Sequence, residues 1–146
     1  MKRIVGIDFG LARIGVALSD PSKIIASPIK TLQNKKKLET TVQDLLEALK
    51  DYSIEEIVVG MPYRLNGKLG FSADEVMHFI DALKKQTDLP IKTWDERLTT
   101  SQTERVMKSA KLSRKKRVKV IDAACATLIL QSYLDQKSYT LLPAYD

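Results

Sequence analysis

Arg3-Ile-Val-Gly-Ile-Asp8-Phe-Gly10, with Gly15 closing the turn that follows, decides how the chain is read. Ile4, Val5 and Ile7 form an apolar run rich in β-branched residues, the composition of a buried strand. Asp8 stands where that run ends. A carboxylate there is costly to bury unless a cation or hydrogen-bond donors meet it. Gly6 and Gly10 keep side-chain bulk low along the strand, so a phosphate or a metal ion could approach the backbone. The plainer alternative is that Asp8 and Gly10 merely begin a turn.

Outward from this strand, Ile14 to Leu18 reads as a second strand, hairpin-paired with the first. Ser19 to Lys23 is a turn, and a third strand is expected over Lys23–Thr31. Pro28 cannot donate to a ladder, which assigns that strand to a sheet edge. Asn34-Lys35-Lys36-Lys37 is a polar connection. Leu38, Val42, Leu45, Leu46 and Leu49 then recur as one apolar helical stripe. Ile54 to Gly60 is a fourth strand, parallel to the one it joins because strand–helix–strand crossovers are right-handed. The loop from Met61 to Gly70 leaves its carboxyl end, where open α/β sheets place ligands.

Ser72 with Glu75 predicts a capping box opening a helix that buries Val76, Phe79, Ile80 and Leu83. His78 is the sole histidine and has no second histidine or cysteine beside it, so it reads as a surface or half-packed imidazole. Leu89 to Trp94 is a fifth strand running into Asp95-Glu96-Arg97. Thr99 to Ser101 with Glu104 suggests a cap for a helix carrying Val106, Met107 and Ala110. Lys111 to Arg117 reads as a basic loop, and the last helix as the segment from Val120 to Leu130. The tail from Tyr139 is expected to be extended.

At 146 residues, 44% hydrophobic and 29% charged, the chain suits one folded domain spanning 1–146. The net charge of +6 favours a polyanionic partner, most simply nucleic acid. One cysteine, Cys125, excludes an internal disulfide and fits a reducing compartment. No signal-peptide core and no bilayer-spanning apolar run are present, so a cytoplasmic location without a membrane partner is expected.

Strands one, four and five should share a carboxyl edge, with Asp8 and Glu96 at the ends of strands one and five. Asp122 lies early in the closing helix among small and apolar residues, where a charge is usually paired or on a metal. Three carboxylates on one edge would repel one another unless a cation neutralised them. Oxygen-only ligation suits Mg²⁺ or Mn²⁺ rather than Zn²⁺. Such a site can hydrolyse phosphodiesters without a histidine or cysteine nucleophile. Each residue also has a structural alternative: Glu96 as the partner of Arg97 or a lysine, and Asp122 as a helix-start charge. Asp95 offers similar chemistry, and alternation says only that it and Glu96 face opposite ways.

Arg114, Lys115, Lys116 and Arg117, just before Asp122, are either a solvated charge run or a phosphate clamp. Neutralising about four phosphates would give a log–log salt slope near −3 to −4. Arg13, Arg64, Lys68 and Arg97 are taken with them as nucleic-acid contacts.

Gly6-Ile-Asp8-Phe-Gly10 with Gly15-Val-Ala17, Val59-Gly60-Met-Pro62 with Asn66-Gly67, Asp95-Glu96-Arg97-Leu-Thr-Thr100 and Ile121-Asp122-Ala-Ala together resemble the YqgF family. That family is also called RuvX, and is known as a pre-16S rRNA nuclease and as a Holliday junction resolvase. The resemblance runs over nearly the whole chain. It implies a ribonuclease H-like α/β fold, a five-stranded mixed sheet in order 3-2-1-4-5 with helices on both faces. It carries the acidic ligand set onto Asp8, Glu96 and Asp122, and prefers Glu96 to Asp95. It implies maturation of the 5′ end of precursor 16S rRNA, with precursor rRNA as partner. Two other readings stay open: a resolvase of branched DNA, which would need a dimer, and a nucleotide- or RNA-binding module without nuclease activity. Monomer and homodimer are both compatible with the sequence.

Overall fold

In chain order the elements are β1 (Arg3–Phe9), β2 (Arg13–Ser19), β3 (Ala26–Gln33), α1 (Leu38–Leu49), β4 (Ile54–Met61), α2 (Phe71–Lys84), β5 (Ile91–Asp95) and α3 (Arg114–Leu141). The structure is a computed structural model that describes residues 2–62, 71–95 and 114–141, and for 71–72, 114–123 and 138–141 the backbone alone. The strands form one five-stranded sheet ordered β3-β2-β1-β4-β5. The β1–β2 and β2–β3 pairs are antiparallel, and the β1–β4 and β4–β5 pairs parallel. The expected order and the shared carboxyl edge of β1, β4 and β5 are both present.

Alternation along β1 builds two layers. Val5 and Ile7 join the cluster covered by α1 and α2, with Val42, Leu45, Phe79 and Leu83. Ile4 faces the other way, toward Ala126, Ile129, Leu130 and Leu134 of α3. The α1 stripe works as its spacing predicts: Val42, Leu45 and Leu49 are buried. Removing a side chain such as Leu45 from water contributes about 1.5–3 kcal/mol. Because Val5, Ile7, Val58 and Val59 are all fully buried, the central strands are covered on both faces.

Four expectations shift. β3 starts at Ala26 rather than Lys23, because the Asp20 carboxylate accepts the N–H groups of Ile24 (2.7 Å) and Ile25 (2.9 Å) and holds 20–25 as a turn. Those bonds draw the Asp20 carboxyl below the usual carboxylate range, and Lys23 takes a positive φ of 61° in the same turn. α2 already runs at Phe71, so Ser72 lies inside the helix and not ahead of it. α3 begins at Arg114, so Arg114–Arg117 form its first turn instead of a loop. Lysine and arginine lose little rotamer freedom in a helix, and a charge run alone does not forbid one. α3 also continues to Leu141, which takes Tyr139 out of the expected extended tail. The helix expected around Val106 lies outside the described residues.

β3 is the edge strand that Pro28 predicts, with a register shift opposite Val16 and Ala17. His78 is exposed, as its isolation suggested. Among the described residues, no helix is long and apolar enough to cross a membrane.

Candidate active site

Asp8 lies at the carboxyl end of β1, half-buried. Strand parity puts it on the α3 face with Ile4 and Gly6. It stands directly across from Gly15 of β2. On its other side, β1 and β4 pair through Ile7 and Val59, so the next position along, beside Asp8, is Gly60. Gly60 in turn pairs with Trp94 of β5. The position next to the carboxylate is therefore a glycine on both neighbouring strands. One pair further back, Ala17 and Val58 are buried beneath α3. Among the described residues, the two neighbouring strands thus place no side chain directly beside the carboxylate. Sequence reasoning noticed the glycines along β1 but missed this lateral pair. Its signal was the parity of Val58 and Gly60, which becomes readable once the register is known.

α3 approaches the same strand unusually closely. A Cβ on Gly6 would lie 2.6 Å from Leu130 Cβ and 3.0 Å from the Ala126 carbonyl oxygen. Only glycine admits the helix here. The helix runs opposite to β1. Ala126 and Leu130 lie over Gly6, whereas Tyr133 and Lys137 reach Glu56, the partner of Ile4 at the amino end. Positions ahead of Ala126 therefore advance toward Asp8. Position 122 is one turn ahead, about 6 Å along the helix. Asp8 is two residues beyond Gly6, about 6.6 Å along the strand. The two advances match, so the backbone register brings position 122 level with Asp8.

Of the other expected site residues, Glu96, Arg64, Lys68 and Arg97 lie outside the described residues. Asp122, Arg114, Lys115, Lys116 and Arg117 are described by backbone, on the first turns of α3. Asp95 is described. Ile91 joins the α1/α2 cluster and Trp94 the α3 cluster, so Asp95 shares Ile91's face, opposite to that of Asp8. Among the described residues, no group of three histidine, cysteine, aspartate or glutamate side chains could hold a metal ion.

The turn that follows Asp8 is tightly built. The Gly10 N–H donates to the Arg13 carbonyl at 2.9 Å. A Cβ on Gly10 would come within 2.7 Å of that oxygen, so the turn needs glycine. Asn34 holds it from outside: its N–H donates to the Ala12 carbonyl at 3.0 Å, and its side-chain amide donates to the Gly10 carbonyl at 2.8 Å. The buried Thr41 hydroxyl donates to the Asn34 side-chain oxygen at 3.3 Å, linking the turn to α1. Arg13, half-buried, has the same strand parity as Gly15 and so lies on Asp8's face.

A mixed 3-2-1-4-5 sheet with an acidic residue at the carboxyl end of its central strand is the ribonuclease H-like fold. The family model for RuvX, described as a Holliday junction resolvase, matches residues 2–136, and the chain belongs to that family. A protein of Protochlamydia amoebophila is 52% identical over 142 residues, covering 93% of this chain and 95% of that protein. One from Clostridium acetobutylicum is 46% identical over 133 residues, covering 91% and 98%. Both bear the name "Putative pre-16S rRNA nuclease". Among solved structures, the fowlpox virus resolvase with Holliday junction DNA superposes with a TM-score of 0.59 at 13% identity, covering 92% of this chain and 98% of that one. Thermus thermophilus RuvC with a Holliday junction substrate gives 0.58 at 13% identity, covering 96% and 98%. At such identities these two structures speak for the fold.

Proposed function

We propose that the chain is a divalent-metal-dependent endonuclease that trims the 5′ end of precursor 16S rRNA, acting in the cytoplasm as one nuclease domain. The observation that carries this reading is Asp8: half-buried at the carboxyl end of the central strand and flanked across the sheet by Gly15 and Gly60. The names of relatives matched almost end to end support the RNA substrate.

Asp8, Glu96 and Asp122 would hold Mg²⁺ or Mn²⁺. An all-carboxylate donor set fits these hard cations, and the flanking glycines leave the sheet surface open to a phosphate. The β5 parity supports Glu96 over Asp95, which stands on the opposite face. When bound, the ion supplies acidity to the attacking water and charge for the leaving oxygen. The chain's own residues do the rest. Asp8 anchors the set on the central strand. Arg13, on the same face, orients a phosphate. Arg114, Lys115, Lys116 and Arg117, at the start of α3, neutralise the backbone as it reaches the carboxylates. Arg64, Lys68 and Arg97 are assigned to the same surface.

The test is cleavage of precursor rRNA with Mg²⁺ or Mn²⁺ by wild type beside Asp8→Asn. The variant is expected to lose at least about 10²-fold in rate, the scale of losing one preorganised electrostatic group. Its melting temperature and RNA binding should stay close to wild type. Equal cleavage by both proteins would end the proposal. A second reading, resolution of branched DNA, is favoured by the family's description as a Holliday junction resolvase. It requires two copies for symmetric cuts. Parallel assays on junction DNA, with the solution mass measured, separate the two.

A further inference from the structure

Asn34 is the first residue of Asn34-Lys35-Lys36-Lys37, and its two hydrogen bonds to Ala12 and Gly10 tie that segment to the turn beside Asp8. The ordinary reading of three consecutive lysines is a solvated connection. The structure distinguishes them. Lys35 is paired with Asp44 at 2.9 Å. Lys36 and Lys37 are exposed, and among the described residues neither has an ion pair. The Lys35 N–H donates to the Thr41 hydroxyl at 2.8 Å, so the backbone entering the pair is held as well. Two unneutralised, adjacent cations on a fixed backbone repel each other, a cost that an anion would reverse. Counting residues and hydrogen bonds from Asp8 through Gly10 and Asn34, Lys36 lies no more than about 24 Å away.

We propose that Lys36 and Lys37 form a ledge that binds the phosphodiester backbone of the substrate on the β3 side of Asp8. Arg114–Arg117 belong to α3 and to the other part of the site, so the ledge is a separate contact. It takes the sugar–phosphate chain that extends beyond the cleavage point. Because the recognition is of phosphate alone, RNA and DNA share it. The inference rests on the nuclease reading only for what the bound strand is used for; the binding itself is measured without cleavage.

The test uses the full chain with Asp8→Asn as background, and two probes: a hairpin RNA carrying a single-stranded 5′ extension, and a four-way DNA junction. Affinity is measured from 50 to 200 mM salt, with and without K36Q/K37Q. Losing two phosphate contacts lowers the log–log salt slope by about 1.4–1.8. Over that salt range the parent should therefore weaken about tenfold more than the lysine variant. K36E/K37E should bind more weakly still, with an unchanged melting temperature. A slope that falls on one probe and not on the other would overturn recognition of phosphate alone. An unchanged slope on both probes, or no binding of either by the parent, overturns the proposal. Should the slope fall while wild type cleaves nothing, the ledge stands and the nuclease reading is the part that fails.

Discussion

The α3 face of the sheet carries a carboxylate at each end, and the two are housed in opposite ways. Glu56, beside Ile4 at the amino end, is 7% exposed. It accepts hydrogen bonds from the Tyr133 hydroxyl at 2.8 Å and from Lys137 Nζ at 3.1 Å. The Tyr133 ring meets Trp94 edge-on at 6.1 Å, and Lys137 lies 5.8 Å from the same ring. That acid is buried and met by a tyrosine hydroxyl and an ammonium. Asp8, at the carboxyl end, has glycines on both neighbouring strands. A charge enclosed by aromatic and basic groups is a brace between helix and sheet. A carboxylate flanked by glycines on both neighbouring strands has no strand side chain directly beside it. Burial of an acid is thus a poor guide to its use; the identity of its lateral neighbours is a better one.

The contrast can be broken most forcefully at Gly60. Gly60→Val would put a branched side chain next to Asp8, and cleavage should fall by about 10²-fold, the scale of a misplaced reacting group. The unfolding midpoint in urea checks that the sheet survives. If Gly60→Val cleaves as well as wild type, the open surface beside Asp8 has no catalytic meaning.

Gly6→Ala tests the junction between the two ends. Its Cβ would meet Leu130 and Ala126 at distances no relaxed contact allows, and a loss of about 1–3 kcal/mol in unfolding free energy is expected. At the braced end, Glu56→Ala should cost about 1–2 kcal/mol, since it strands the Tyr133 hydroxyl, while leaving the cleavage rate unchanged. A fall in rate without a fall in stability would mean the brace also serves the reaction.

The smallest effect concerns alkaline pH. Burial, and then the hydrogen bond and charge of Glu56, push the Tyr133 hydroxyl above its ordinary range. An unfolded tyrosine gives up its proton near pH 10 while the folded one keeps it, so the unfolded chain binds fewer protons there. The contribution of this group is whole below about pH 10 and declines as pH rises past it. Tyr133→Phe should flatten that decline, read from stability at pH 9 and pH 11. Parallel curves would show that the pair is not linked to folding.

Much of the architecture was legible in local pattern. The β-branched run of β1, the stripe of α1 and Pro28 each report a strand, a buried face or an edge without reference to anything distant. The crossover rule then set the parallel direction of β4, while the order of the sheet came from the family resemblance. What stayed hidden depends on residues far apart in the chain. That Gly15 and Gly60 flank Asp8 follows from pairing, and Glu56 gains its meaning only from Tyr133 and Lys137, more than seventy positions later. The start of α3 was misjudged because Arg114–Arg117 look like a solvated tract, yet their backbone is helical. That Asp95 stands on the face opposite to Asp8 needed the face of β5, which Ile91 and Trp94 reveal once their neighbours are known.

The missing side chain at position 6 also limits how the molecule can be re-engineered. Helix and strand touch there with no spacer between them, so a transplanted α3 from a distant relative will seat only if its residues at 126 and 130 fit the recipient's β1. Exchanges made as a strand-plus-helix cassette should yield working hybrids more often than exchanges of the helix alone.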